Sequence, residues 1–234
     1  LDAVVELPEV VYRTIDVPLS EKQTSTYARL ARDFKVMLEN KEITAVNAAV
    51  VMGKLLQVSG GWVYTGEGDG KYVDVDSTPR QEILVDLIEE AERKVLVFAP
   101  YRHTVEALSK VMDKAGIQHA VVHGGVHDRD TIFNAYQNTT KYKVLLAHPQ
   151  CLAHGLTLTA ADTIIWAMPI MSLEIYEQAN ARITRIGQKH RQTVFHLQST
   201  QVERKVYAML RSKQKIQDAL LTLLEEATAA RGTI

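Results

Sequence analysis

The alternation of short apolar runs with helical stretches, which begins at Thr78, is the strongest constraint on the fold. The apolar runs have no polar interruption, which is typical of strands buried on both faces. The predicted strands are 95–98, 119–122, 144–146, 163–166 and 194–197, and the predicted helices between them begin at residue 78 and span 105–115, 128–137 and 172–183. Apolar strands separated by helices predict an α/β fold in which helices cover both faces of a parallel sheet.

The sequence predicts three parts around this alternation. Residues 1–77 form a mainly helical lead-in with one strand at 10–17 and a glycine-rich hairpin at 60–76. Residues 78–200 form the sheet domain. Residues 201–234 carry an amphipathic helix that continues to about residue 226 and packs on or braces the domain.

Composition excludes several classes of protein. With 46% hydrophobic residues and a net charge of −1, the chain is not intrinsically disordered. Cys151 is the only cysteine, which argues against a disulfide-stapled secreted module and favours a reducing, cytoplasmic setting. No uncharged apolar run approaches the roughly 20 residues that a membrane helix needs. Because the chain opens with Leu1 instead of Met, we expect it to be a piece of a longer protein.

The charges are unevenly distributed along the chain. Residues 67–92 hold nine acidic side chains against two basic ones, and residues 178–216 hold nine basic side chains against one acidic one. A basic tract of this density suits a polyanion such as nucleic acid or nucleotide phosphate. A solvated helix face explains the same pattern equally well.

Two closely spaced arginines are the sharpest candidate for phosphate chemistry. Arg182 and Arg185 lie three residues apart, so on a predicted helix they project from the same side. Ile183 and Ile186 form another stripe that can anchor the helix, and Gly187 can end it. Two planar, permanently charged guanidinium groups suit phosphate oxygens.

Three further strings follow predicted strands. The segment 123–129 offers two glycines, a helix start and Arg129, which together can hold a phosphate. The segment 151–162 offers Gly155 for close backbone approach, and 101–104 offers Arg102. We expect all of these loops at the carboxyl edge of the sheet. The histidines 119, 123 and 127 do not form a metal site, because they bracket a strand and two glycines.

Together these strings resemble, in order and spacing, the C-terminal RecA-like lobe of Snf2-type superfamily 2 helicases and translocases, in particular their compact viral and bacterial members. The motifs that carry the resemblance are 98–102, 123–125 with Arg129 and Phe133, 155–162, and Gln178-Ala179 with Arg182, Arg185 and 186–188, preceded by 7–8, 17–20, Gln23 and Tyr27. The resemblance covers nearly the whole chain. Departures from the usual motifs stand at Leu152, Ala153, Thr157, Met168 and Ala181.

The resemblance implies a DNA motor that hydrolyses ATP between two RecA-like lobes. It assigns the catalytic arginines to Arg182 and Arg185. It places Gly155, Asp162, Gln178 and Gln188 near the nucleotide, and Arg102, His123, Gly124, Gly125, Arg129 and Thr157 on the DNA backbone. The chain has no G-x-x-x-x-G-K-[ST] motif and no acidic box. An N-terminal lobe must therefore hold the phosphates and Mg²⁺, and we expect this chain alone to be inactive as an ATPase.

Two other functions stay open at this point. One is a non-catalytic RecA-like module that binds DNA or protein. The other is a small-molecule enzyme on a doubly wound sheet, such as a nucleotide-sugar transferase, which predicts a self-contained pocket with convergent acid and base groups. No G-x-G-x-x-G motif follows the first strand of the sheet domain to favour this enzyme.

Overall fold

The computed structural model describes residues 7–39, 45–65, 71–152 and 156–214. The chain forms two compact units. The first unit comprises Leu1–Ile15, Gln81–Ile170 and Glu174–Leu197, and the second comprises Asp16–Arg80, Met171–Leu173 and Gln198–Ile234. No helix within the described residues is long and apolar enough to cross a membrane.

The elements alternate as the sequence predicts. The strands are β1 (Val10–Asp16), β2 (Trp62–Tyr64), β3 (Tyr72–Asp74), β4 (Lys94–Phe98), β5 (His119–Val122), β6 (Val144–Ala147), β7 (Ala161–Trp166) and β8 (Gln192–Gln198). The helices are α1 (Glu21–Glu39), α2 (Ala45–Ser59), α3 (Thr78–Glu90), α4 (Arg102–Lys114), α5 (Arg129–Asn138), α6 (Leu173–Asn180) and α7 (Gln201–Arg211), with a short 3-10 helix at Pro149–Leu152.

The first unit is built on a six-stranded sheet in the order β1-β8-β7-β4-β6-β5. The strands β4 to β8 pair in parallel, so the predicted RecA-like α/β fold is confirmed. Strand β4 lies at the centre, and its side chains from Val95 to Phe98 are fully buried. Because β4, β6 and β5 are neighbours, the loops that follow them meet at one edge of the sheet.

Two predicted helix ends are wrong. Helix α6 ends at Asn180 instead of continuing to Ile183. The side-chain oxygen of Asn180 accepts a hydrogen bond from the Trp166 indole at 2.9 Å, and tight turns close the chain after it: the Arg182 amide donates to the Ala179 carbonyl. Helix α7 ends at Arg211, two residues before Lys213 with φ at 58°, and residues 215–226 of its predicted extension lie outside the described residues.

The second unit packs α1, α2, α7 and the β2–β3 hairpin around Phe34, Met52, Leu55 and Trp62. The predicted capping box at Ser20 and Gln23 is confirmed, since the Gln23 amide donates to the Ser20 hydroxyl and the Ser20 amide donates to the Gln23 side chain, both at 3.1 Å. The hairpin tip, residues 66–70, lies outside the described residues.

A buried ion pair joins the start of α3 to the start of α7 within the second unit. One terminal nitrogen of Arg80 lies 2.9 Å from both carboxylate oxygens of Glu203 and 2.7 Å from the Ser199 hydroxyl. Glu203 also accepts the amides of Ser199 and Thr200 in a capping box. The side chains of the pair are 4% and 0% exposed, so removal of either partner leaves a buried charge.

We predict that Arg80→Ala lowers the free energy of unfolding by about 3–5 kcal/mol, because the Glu203 carboxylate is then buried without its counter-ion. Urea unfolding followed by circular dichroism measures the loss. The control is Arg204→Ala, whose exposed pair with Asp16 should contribute less than about 1 kcal/mol. Equal effects of the two substitutions would contradict this account.

Candidate functional site

Three loops at the carboxyl edge of the first unit enclose an open pocket of about 500 Å³. The loops follow β4, β5 and β6, which are adjacent in the sheet. The pocket is lined by Arg102, Gly124, Gly125, Arg129, His148, Gln150 and Cys151. The structure therefore brings together four of the six residues that the resemblance assigned to DNA.

The glycine turn after β5 owes its shape to His123. The Gly125 amide donates to His123 Nδ1 at 3.1 Å, and the Val126 amide donates to the His123 carbonyl at 3.0 Å. A Cβ atom on Gly125 would lie 3.2 Å from the His123 ring and 3.7 Å from the Arg102 guanidinium. A Cβ atom on Gly124 would meet nothing within 4 Å, so Gly124 borders open space.

Basic groups dominate the electrostatics of the pocket. Arg102 Nε donates to Glu106 Oε1 at 2.7 Å, and His123 Nε2 lies 4.0 Å from the same oxygen. The hydrogen bond from Arg102 lowers the pKa of Glu106, and the nearby charges of Arg102, His123 and His103 add to this. Arg129 adds a second guanidinium. Glu106 therefore neutralises only part of the positive charge.

Sequence reasoning missed three residues of this pocket. His148, Gln150 and Cys151 come directly after β6. His148 Nε2 bonds to the Pro100 carbonyl at 3.0 Å, and burial lowers the pKa of its imidazole. Burial raises the pKa of the Cys151 thiol despite the proximity of Arg129. Their position after a buried strand was the available signal, but only the sheet order shows that β6 lies between β4 and β5.

The arginine turn, residues 181–188, lies at the opposite edge of the sheet. The Leu158 amide donates to the Arg182 carbonyl at 3.0 Å, and the Gln188 side chain donates to the carbonyl of Ala161, the first residue of β7, at 2.8 Å. This turn therefore lies away from the carboxyl edge, where the three loop strings were expected. The reason is that α6 runs back across the sheet from the end of β7 to the start of β8.

The two arginines have different environments. Arg182 is 4% exposed, and its Nη1 lies 3.5 Å from the Leu156 carbonyl. Burial and the neighbouring charge of Arg185 lower the pKa of its guanidinium. Arg185 is half-buried. The expectation that both arginines project from one helix face is wrong, because the residues after Asn180 form turns.

The anchoring of the turn also differs from the prediction. Ile183 is fully buried, as expected, but Ile186 is 78% exposed. Gly187 has φ at 101°, a left-handed value that favours glycine, but it closes the turn instead of ending the helix.

The side chain of Gln188 is fully engaged within the turn. Its Nε2 donates to the carbonyls of Ala161 and Ile183, and its Oε1 accepts the amides of Lys189 and His190. A nucleotide contact by Gln188 would therefore replace bonds that hold the turn.

The remaining predicted residues are dispersed around the same edge. Gln178 donates to Glu174 on its own helix. Asp162, the second residue of β7, lies 3.5 Å from Arg93 Nε and accepts from the Thr163 hydroxyl. Thr157 is exposed and lies between Leu156 and Leu158, which contact Arg182, so it is not part of the carboxyl-edge pocket. Gly155 lies outside the described residues. No cluster of metal-ligating side chains occurs within the part of the chain that the structure describes.

Both the sequence and the fold of this chain match known proteins. Residues 79–187 match the helicase conserved C-terminal domain. The chain covers 98% of the Sulfolobus solfataricus SWI2/SNF2 ATPase C-terminal domain with a TM-score of 0.67 and 15% identity, over 94% of its own length. It is similar in sequence and fold to the C-terminal lobe of Snf2-type ATPases of superfamily 2.

Two other similar proteins are longer than this chain. An uncharacterised ATP-dependent helicase of Mycoplasma genitalium is 25% identical over 217 residues, which cover 90% of this chain and 21% of that protein. The Sulfolobus solfataricus SWI2/SNF2 ATPase core in complex with dsDNA matches 94% of this chain and 50% of that one, with a TM-score of 0.72 and 19% identity. The chain spans 18–47% of the lengths of three curated relatives that it matches.

We predict that Gln188→Leu lowers the free energy of unfolding by roughly 2–4 kcal/mol, because it leaves buried backbone groups of the turn without partners. The control is Gln178→Leu, whose single bond to Glu174 along one helix should contribute less than about 1 kcal/mol. Urea unfolding of both variants makes the comparison. A stable Gln188→Leu protein would show that the turn does not depend on this amide.

Proposed function

We propose that this chain is the second motor lobe of an ATP-dependent DNA translocase or helicase. The observation that carries the proposal is the convergence of Arg102, Gly124, Gly125 and Arg129 in one basic pocket, in a chain whose relatives include ATP-dependent helicases. The basic pocket binds the sugar-phosphate backbone of DNA. The solved relative in complex with dsDNA supports the choice of duplex DNA as the ligand.

DNA contact in the pocket depends on charge and on exposed backbone. Gly124 borders open space, so a phosphate can approach its peptide unit closely. Arg102 is exposed and supplies a guanidinium above Gly125. Contacts of this kind give little sequence preference and a strong dependence on salt. Both properties suit a motor that moves along DNA.

ATP is held at the opposite edge, between the arginine turn and an N-terminal RecA-like lobe. Arg185 is the more exposed arginine and reaches the γ-phosphate, where it neutralises the charge that develops during transfer. Arg182 holds the loop at Leu156 and Leu158 in place behind it. The N-terminal lobe supplies the phosphate loop and the Mg²⁺ ligands, so this chain alone does not hydrolyse ATP. The protein acts in the cytoplasm.

One connection links the two edges. Cys151 lines the basic pocket, and Leu156 and Leu158 contact Arg182. A change at the arginine turn when ATP is hydrolysed therefore has a short covalent path to the DNA pocket. Opening and closing of the cleft between the lobes would then step the chain along DNA.

We predict that Gly124→Ala weakens binding of a 20-base-pair duplex on the order of tenfold, the equivalent of one charge-assisted hydrogen bond. Its melting temperature should be unchanged, because the added methyl group meets no protein atom. Fluorescence anisotropy at low salt gives the affinity. The control is Gly53→Ala in α2, which also enters open space and should leave DNA binding unaltered. Unchanged affinity in Gly124→Ala would remove this turn from the DNA interface.

We predict that Arg185→Ala, in a polypeptide that joins this chain to its N-terminal lobe, lowers DNA-stimulated ATP hydrolysis by on the order of 10³-fold or more. Arg182→Ala should lower both the rate and the melting temperature, because Arg182 is buried. The control is the exposed Arg191→Ala. A normal rate in Arg185→Ala would favour the non-catalytic interaction module instead.

A further inference from the structure

Arg129 is engaged with the backbone of the glycine turn. Its Nε donates to the Val126 carbonyl at 2.9 Å, and its Nη2 donates to the carbonyls of His123 and Gly124, both at 3.2 Å. One guanidinium thus binds three carbonyl oxygens within four residues. The side chain is half-buried, so these bonds are partly protected from water.

The planarity of the peptide bond gives these contacts a consequence for the amides. In a trans peptide the N–H points opposite to the C=O. The carbonyls of His123 and Gly124 point toward Arg129, so the amides of Gly124 and Gly125 point away from it. The Gly125 amide donates to His123 Nδ1, which agrees with this direction. The Gly124 amide points away from Arg129, and a Cβ atom on Gly124 would meet nothing within 4 Å, so this residue has open space beside it.

The same contacts change the electrostatics of the turn. Three carbonyl oxygens that face a phosphate would repel it, since each carries the negative end of a peptide dipole. Arg129 gathers these oxygens and neutralises them. The opposite side of the turn then presents the Gly124 amide hydrogen, which attracts anions, while the Gly125 amide stays bonded to His123 Nδ1.

We propose that Arg129 is a positioning residue that builds the anion-binding side of the glycine turn, whereas Arg102 contacts the phosphate itself. This inference rests on the proposed DNA-binding function. It reassigns Arg129, which the sequence resemblance placed on the DNA backbone. The two roles need different chemistry. A positioning residue needs a planar guanidinium with several fixed donors, whereas a phosphate contact needs only a positive charge within reach.

Substitution by lysine separates the two roles. Lysine keeps the charge, but its single ammonium cannot span three carbonyls in the arrangement that the guanidinium holds. We expect Arg129→Lys to bind a 20-base-pair duplex roughly tenfold more weakly than the native chain, as after loss of a charge-assisted hydrogen bond. We expect Arg102→Lys to lose less affinity than Arg129→Lys, because a positive charge at that exposed position still reaches a phosphate.

The salt dependence of binding provides the second readout. Each phosphate that a side chain neutralises contributes about 0.9 to the slope of log affinity against log salt. We expect Arg102→Gln to lower the slope by about one, and Arg129→Gln to weaken binding with the slope unchanged. If Arg129→Lys binds the duplex as tightly as the native chain, or if Arg129→Gln lowers the salt slope by about one, the proposal is overturned and Arg129 is a direct phosphate contact.

Amide spectra without DNA test the positioning role separately from the proposed function. In ¹⁵N spectra of the chain, Arg129→Lys should move the Gly124 and Gly125 resonances and accelerate hydrogen exchange of the Gly125 amide. Amides of the second unit should be unchanged, which excludes a general loss of stability. If both glycine resonances stay in place, the positioning role is refuted. If the resonances move and the native chain binds no duplex at low salt, the proposed DNA-binding function fails while the positioning role stands.

Discussion

The pairing of β4 on both sides is the constraint on which the rest of the first unit depends. Val95 to Phe98 pair with Val144 to Ala147 on one side and with Thr163 to Trp166 on the other. This central position makes the loop after β4 a neighbour of the loops after β6 and β5. The basic pocket exists because of that order, and no single one of its loops forms it.

The two candidate sites lie at opposite edges of this sheet. The carboxyl edge carries the basic pocket, and the amino edge carries the arginine turn with Asp162 and Arg93. A parallel sheet produces this separation because each crossover helix returns the chain from one edge to the other. Cys151 at the carboxyl edge and Leu158 at the amino edge lie only seven residues apart in the chain.

Side-chain roles within the sites divide between contact and support. Gln188 and Arg129 are polar residues in motifs that the family resemblance assigns to ligands, but their donors are engaged with backbone carbonyls. Arg182 is similarly buried beside Leu156. In the proposed function, motif residues of this kind act on a ligand through the shape of a loop, and the proposed phosphate contacts are the exposed Arg102 and the half-buried Arg185.

The sequence by itself determined the α/β class, the parallel pairing and the position of most strands, because strands buried on both faces require uninterrupted apolar runs such as Val95 to Phe98. It also determined which residue types could meet phosphate. Tertiary structure alone decided which of these residues share a site: the sheet order joined Arg102 to His148, and α6 carried Arg182 to the opposite edge. It also decided the end of α6, because the bond between Asn180 and Trp166 joins residues that only the folded sheet brings together. Local patterns specify periodicity and burial, whereas strand order and side-chain partners depend on contacts between residues that are distant in the chain.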